Sequence, residues 1–238
     1  MFTQTKNSWL LYNQNRHCIL CGLHACATTN LCQACLDDLP WITHACQRCA
    51  IPLNSHSSSL AICPQCQQRP PLFDQVIAPF EYRFPIDQLI QLAKFNGQTH
   101  YLNPLADLLR LRLQTAPRPE LIIPVPLHQK RLQQRQYNQA ALLAKRLARS
   151  LSIPFSHQLL IKAINTPHQA DLDRKTRRKN LRNSFHCINP PPASVAVIDD
   201  VMTTGTTAAE ISRVLKQAGC QQVYIWVIAR TAKELHLS

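Results

Sequence analysis

Residues Val197–Thr207 read VIDDVMTTGTT: an apolar run, two carboxylates, a series of small hydroxyl residues around Gly205, then a stretch of helical character. Each part has a use in holding a sugar phosphate. The first turn of a helix offers N–H groups without intrahelical partners and a partial positive charge, both of which favour phosphate. Gly205 lets the backbone turn tightly and approach a ligand, while Thr203, Thr204, Thr206 and Thr207 add hydroxyl donors. The chain has only four glycines, so one at this point is informative. Asp199 and Asp200 would repel a bare phosphate. They become useful when the ligand also brings hydroxyls that donate to them, or a magnesium ion. A ribose 5-phosphate has both diol and phosphate, on opposite sides of the ring. The pattern predicts a buried strand over Ser194–Asp199, a ribose-phosphate loop that includes Val201 and Met202, and a helix over Thr206–Ala218 closed by Gly219.

Outward from this loop, short apolar runs alternate with helical periodicity. Gln75–Tyr82, Leu121–Val125, Leu159–Ile164 and Gln222–Ala229 read as further strands, and Ile86–Phe95, a segment from Asn103 to about Gln114, and Tyr137–Leu151 read as helices. Strands alternating with helices imply a doubly wound α/β fold with a mostly parallel sheet. In such folds ligands bind at the carboxyl ends of the strands. Lys130, Arg131 and Arg135 follow directly on the strand LIIPV, and Arg177, Arg178, Lys179 and Arg182 form a second basic cluster. Both clusters are candidate anion sites, because a guanidinium binds phosphate oxygens bidentately. Lys145, Arg146 and Arg149 read instead as a solvated helix face.

The N-terminal part is of another kind. Cys18/Cys21, Cys32/Cys35, Cys46/Cys49 and Cys63/Cys66 are four CxxC pairs among 11 cysteines. A two-residue spacer turns both sulfurs toward one point, so two pairs complete a closed tetrahedral zinc site. The pairs allow one or two structural zinc ions, and spacing leaves open which pairs combine. Cys26, His24, His44 and His56 are possible substitute ligands, and Cys187 and Cys220 read as buried thiols. Pro70 and Pro71 mark the expected boundary between a double zinc-ribbon module, residues 1–71, and an α/β domain, residues 72–238.

The formal charge is +13, and it is concentrated: between Lys130 and Arg182 13 basic residues face only Asp171 and Asp173. Such a segment points to a polyanionic partner. No apolar stretch approaches the roughly 20 residues of a membrane span, and the N-terminus lacks the apolar core of a secretory signal. A cytoplasmic location is the expectation.

The VIDDVMTTGTT segment resembles the signature of type I phosphoribosyltransferases. The resemblance implies that Asp199 and Asp200 hold the ribose 2′- and 3′-hydroxyls of 5-phosphoribosyl-1-diphosphate (PRPP), and that residues 203–207 wrap its 5′-phosphate, with magnesium on the pyrophosphate. Purine-salvage members carry an aspartate immediately before the TG. Here that position is Thr203, which lacks the base strength for purine handling. Taken from Cys18 to Arg230, the chain resembles the competence protein F family: the four knuckles, LAKFNG at 92–97, PVPLHQKRLQQRQYNQ at 124–139, TPHQADLDRKTRRKNLRNSF at 166–185 and VIDDVMTTGTT carry the likeness. The family's RGFNQ is RQYNQ here, so Gln136 stands where glycine is usual, whereas Asn138 and Gln139 match. The resemblance implies a bacterial protein of natural transformation that handles imported single-stranded DNA, with DNA-uptake or helicase proteins as partners. It names no reaction. A metabolic phosphoribosyltransferase acting on a small nitrogen nucleophile or base, and a non-catalytic nucleic-acid adaptor, are the alternatives.

Overall fold

Val195, Ala196, Val197 and Ile198 expose no surface, the burial expected of a central strand covered on both faces. Strand β6 (Ser194–Met202) holds them. It pairs in parallel with β3 (Leu121–Pro124) on one side and β7 (Gln222–Arg230) on the other, and β7 pairs in parallel with β1 (Gln75–Ile77) and β2 (Phe80–Glu81). The sheet order is β1-β7-β6-β3. This is a computed structural model, and it describes residues 17–26, 29–53, 62–95, 97–164 and 181–232. The basic cluster Arg177, Arg178 and Lys179 lies outside the described residues.

The chain divides into two compact units, Met1–Leu39 and Pro40–Ser238. The first holds the short helix α1 (Gln33–Asp37), and the second holds α2 (Pro64–Gln68) together with the whole sheet. The sequence boundary at Pro71 lies inside the second unit. Val195 and Val197 share one core with Ile211 and Leu215 of α7 (Thr206–Gln217), and with Cys46, Cys49, Cys63 and Cys66. On the other face α6 (Gln139–Leu151) packs against β3 and β6, and α4 (Leu102–Arg112) packs against α6. Arg146 binds Asp107 through two hydrogen bonds of 3.0 and 2.6 Å, which ties those two helices together at the surface. Helices on both faces of a parallel sheet make the fold doubly wound, as the alternation of elements predicts.

Four departures from the sequence reading have physical causes. Gln75–Tyr82 is two short strands, because Pro79 has no N–H for a ladder and its carbonyl accepts from Ile42 instead. The run Leu159–Ile164 is not in the main sheet; β4 (Leu160–Lys162) pairs antiparallel with β5 (Phe185–Cys187) as a separate two-stranded piece. The expected helix from Tyr137 starts at Gln139, where Asn138 Oδ1 accepts from the N–H groups of Ala140 and Ala141. Before it runs a separate helix, α5 (Gln129–Arg135), whose N-cap is His128.

Gln136 ends α5 at φ 64°, in the left-handed region. A non-glycine residue is strained in this region, which suits glycine. Gln136→Gly is therefore expected to stabilise the protein by about 1 kcal/mol. The measurement is a thermal melt, with Tm rising by roughly 2–4 °C.

Candidate functional site

Strand β6 runs three residues past Asp199, paired with β7 through Asp199↔Val227, Val201↔Ala229 and Met202↔Arg230. The two acids therefore lie inside a strand, and successive side chains on a strand point to opposite faces. Asp199 lines a cavity with Val125 and residues 203–207. Asp200 is buried, and Lys94 Nζ of α3 (Ile86–Phe95) lies 3.1 Å from its Oδ2. The same oxygen accepts from Gln139 Nε2 at 3.1 Å, and Oδ1 accepts from the N–H of Val201 at 2.8 Å.

This separation splits the titration of the pair. Burial and then the Asp200 charge push the Asp199 carboxyl up to about 7. Burial alone would raise Asp200 too, but the Lys94 ammonium and the Gln139 amide outweigh it and hold it below the usual carboxylate range. One acid is fixed as an anion. The other titrates near neutrality and faces the cavity.

At the loop, Gly205 has φ 76° and stands at the N-cap of α7 with no side-chain cap. A Cβ there would meet only Met202 Cε, at 2.6 Å, the mobile end of a flexible side chain, so it is the backbone conformation that favours glycine. Thr204 Oγ1 and Thr206 Oγ1 are 2.8 Å apart, and the N–H of Thr206 reaches Thr204 Oγ1 at 3.4 Å. The loop thus joins a helix N-terminus, hydroxyls and one carboxyl around a single cavity.

Of the basic residues expected at the strand end, Arg131 and Arg135 are half-buried on α5 and Lys130 is exposed. The Arg135 guanidinium lies 5.2 Å from the ring centre of Phe95, in a cation–π contact. Burial and the neighbouring Arg135 charge lower Arg131. The sequence reading missed Lys162 and Lys94. Burial, and next the Arg131 charge, bring Lys162 down to about 8 against the pull of Asp199, so β4 carries an ammonium to this site. Its signal was period-two alternation, which puts Lys162 on the face of buried Leu160 rather than that of exposed Ile161. Lys94 sits in LAKFNG, a lysine in the last turn of an otherwise apolar-faced helix.

The cysteines resolve the pairing that spacing left open. Cys18, Cys21, Cys32 and Cys35 converge in the first unit and Cys46, Cys49, Cys63 and Cys66 in the second, with the four sulfurs of each set within 4.8 Å of one another. Tetrahedral zinc with Zn–S near 2.3 Å would put sulfurs about 3.8 Å apart. Cys21 to Cys32 is 3.6 Å and Cys49 to Cys63 is 3.7 Å, so both sets fit the ion. The knuckles repeat each other: Gly22 donates to the Cys18 carbonyl and Ala50 to that of Cys46, both at 2.9 Å and both with positive φ. All four sulfurs of the second set belong to buried residues, whereas Cys21 is exposed.

An α/β body with strand, acid pair, glycine turn and helix, in a chain with two four-cysteine knuckles, defines the class as a double zinc ribbon joined to a doubly wound α/β domain. Residues 9–70 match the family model described as Double zinc ribbon domain. A purine phosphoribosyltransferase from Pyrococcus horikoshii aligns over 55% of this chain and 82% of its own, with TM-score 0.36 and 16% identity. Competence protein F of Haemophilus influenzae is 36% identical over 91% of this chain and 97% of its own length. The DNA utilization protein YhgH of Escherichia coli O157:H7 is 31% identical over 90% of this chain and 96% of its own. The chain belongs to the competence protein F family. No helix among the described residues is long and apolar enough to cross a membrane.

Proposed function

We propose that this protein binds PRPP with magnesium at the Asp199–Thr207 loop and acts in natural transformation, on single-stranded DNA in the cytoplasm. The observation that carries the reading is one cavity shared by the Asp199 carboxyl and the N-terminus of α7, whose N-cap Gly205 has no side chain. A ribose phosphate needs both, an acceptor for its hydroxyls and donors for its phosphate. Arg131 and Lys162 supply the positive charge that a pyrophosphate requires, and magnesium would neutralise the remainder. Relatives named for competence and for DNA utilization support the DNA role, as does the basic segment.

Calorimetry with magnesium and PRPP tests the binding. Ligand hydroxyls and magnesium both favour an ionised Asp199, whose carboxyl is raised to about 7. Affinity is expected to fall by up to tenfold per pH unit below about 7 and to level off above it. Asp199→Asn should weaken binding at pH 8 and remove the pH dependence. The sign for stability is opposite. A folded-state pKa above the unfolded value means that the free protein loses stability as pH rises from about 4 to 7. No binding by the wild type at any pH would overturn the proposal. Pyrophosphate release across a panel of nucleobases and amines separates turnover from ligand sensing.

A further inference from the structure

Strand β7 is buried over VYIWVIA and then ends in a charged residue, Arg230, which is only 6% exposed. A buried guanidinium needs partners for its five N–H donors. Nε donates to the Cys49 carbonyl at 3.0 Å, while Nη1 donates to the carbonyls of Met202 at 3.0 Å, Thr203, and Thr231 at 3.1 Å. No carboxylate pairs with it among the described residues. The nearby anionic centre is the second four-cysteine set, which with zinc carries four thiolate charges against two. One side chain therefore touches both a metal-knuckle turn and the start of the phosphate loop.

The consequence follows from the planar trans peptide. In such a unit the carbonyl of one residue and the N–H of the next point in opposite directions. Holding the Met202 and Thr203 carbonyls toward Arg230 turns the N–H groups of Thr203 and Thr204 away from it, and both residues line the cavity. Cys49 in turn fixes the guanidinium. We propose that Arg230 is a positioning residue that couples the second zinc site to the phosphate loop, so that ligand occupancy of the loop and the state of the four-thiolate centre influence each other. This rests on the reading of Asp199–Thr207 as a ribose-phosphate site. Coupling between two sites is reciprocal, so it is readable from either end.

The test uses cobalt in place of zinc in full-length protein carrying Cys21→Ser and Cys35→Ser, which leaves the second set as the cobalt–thiolate centre. Titration with magnesium and PRPP is expected to shift the cobalt d–d bands, with the same midpoint that calorimetry gives. In Arg230→Gln the ligand should bind about tenfold more weakly, and at saturation the bands should stay where they were. Arg230→Lys, which keeps the charge but lacks the planar fork that reaches the Cys49 carbonyl from Nε and the Met202 and Thr203 carbonyls from Nη1, should behave like Arg230→Gln. If calorimetry shows binding and the wild-type bands do not move, the coupling is wrong and the ligand site stands. If calorimetry shows no binding, the ligand site is wrong. A shift of wild-type size in the Arg230 variants would mean that another residue carries the coupling. Should neither variant fold, the wild-type titration still decides whether the two sites communicate.

Discussion

Serine in place of Cys66 is expected to remove zinc from the second knuckle and lower the melting temperature of the Pro40–Ser238 unit by about 10 °C or more. Cys46, Cys49, Cys63 and Cys66 are all buried, and they belong to the same core as Ile211, Val223 and Ile225. The backbone N–H of Cys63 also donates to Cys46 Sγ at 3.3 Å. Structural zinc contributes on the order of 10 kcal/mol to a folded site, while a whole domain is stable by about 5–15 kcal/mol. Losing one ligand of four should therefore consume a large share of the margin. Cys21→Ser is the matched control. That residue is exposed and lies in the separate Met1–Leu39 unit, so the melt of the sheet unit should move by less than about 3 °C. Calorimetric melts with zinc content measured on the same samples check both.

Lys94→Met is expected to cost about 3 kcal/mol. Lys94 is the only cation within ion-pair distance of buried Asp200 among the described residues, and its removal leaves Gln139 and the Val201 N–H to hold an uncompensated carboxylate. Breaking one side of a buried pair is the expensive operation; removing both sides is cheap. Lys94→Met/Asp200→Asn should therefore recover most of the lost stability. Denaturant titration of both variants measures this. The single variant has a second signature. Losing Lys94 also removes an attraction that lowers the Asp199 carboxyl, so the pH below which ligand affinity falls should move higher than about 7 in the single variant, and lower than about 7 in Lys94→Met/Asp200→Asn, which also removes the larger Asp200 repulsion.

The strand–loop–helix unit was readable from sequence because its chemistry is local: β6, Gly205 and α7 adjoin in the chain, and each residue's type suits its place. The four cysteine pairs were readable for the same reason. What sequence did not show comes from distant segments meeting. Lys94, Gln139 and Lys162 reach the acid pair from α3, α6 and β4, and Arg230 reaches Met202 from the far end of β7. The separate roles of Asp199 and Asp200 were hidden because the expected strand stopped at Asp199. Only the ladder to Val201 and Met202 shows that the two carboxyls point to opposite faces.

A crystal structure of the protein with magnesium and PRPP tests the central claim most directly. The account predicts the 5′-phosphate within hydrogen-bond distance of the N–H groups and hydroxyls of residues 203–207, the ribose diol on Asp199, and the pyrophosphate toward Arg131 and Lys162. Ligand bound away from this loop, or a loop that stays empty at saturating PRPP, would contradict it.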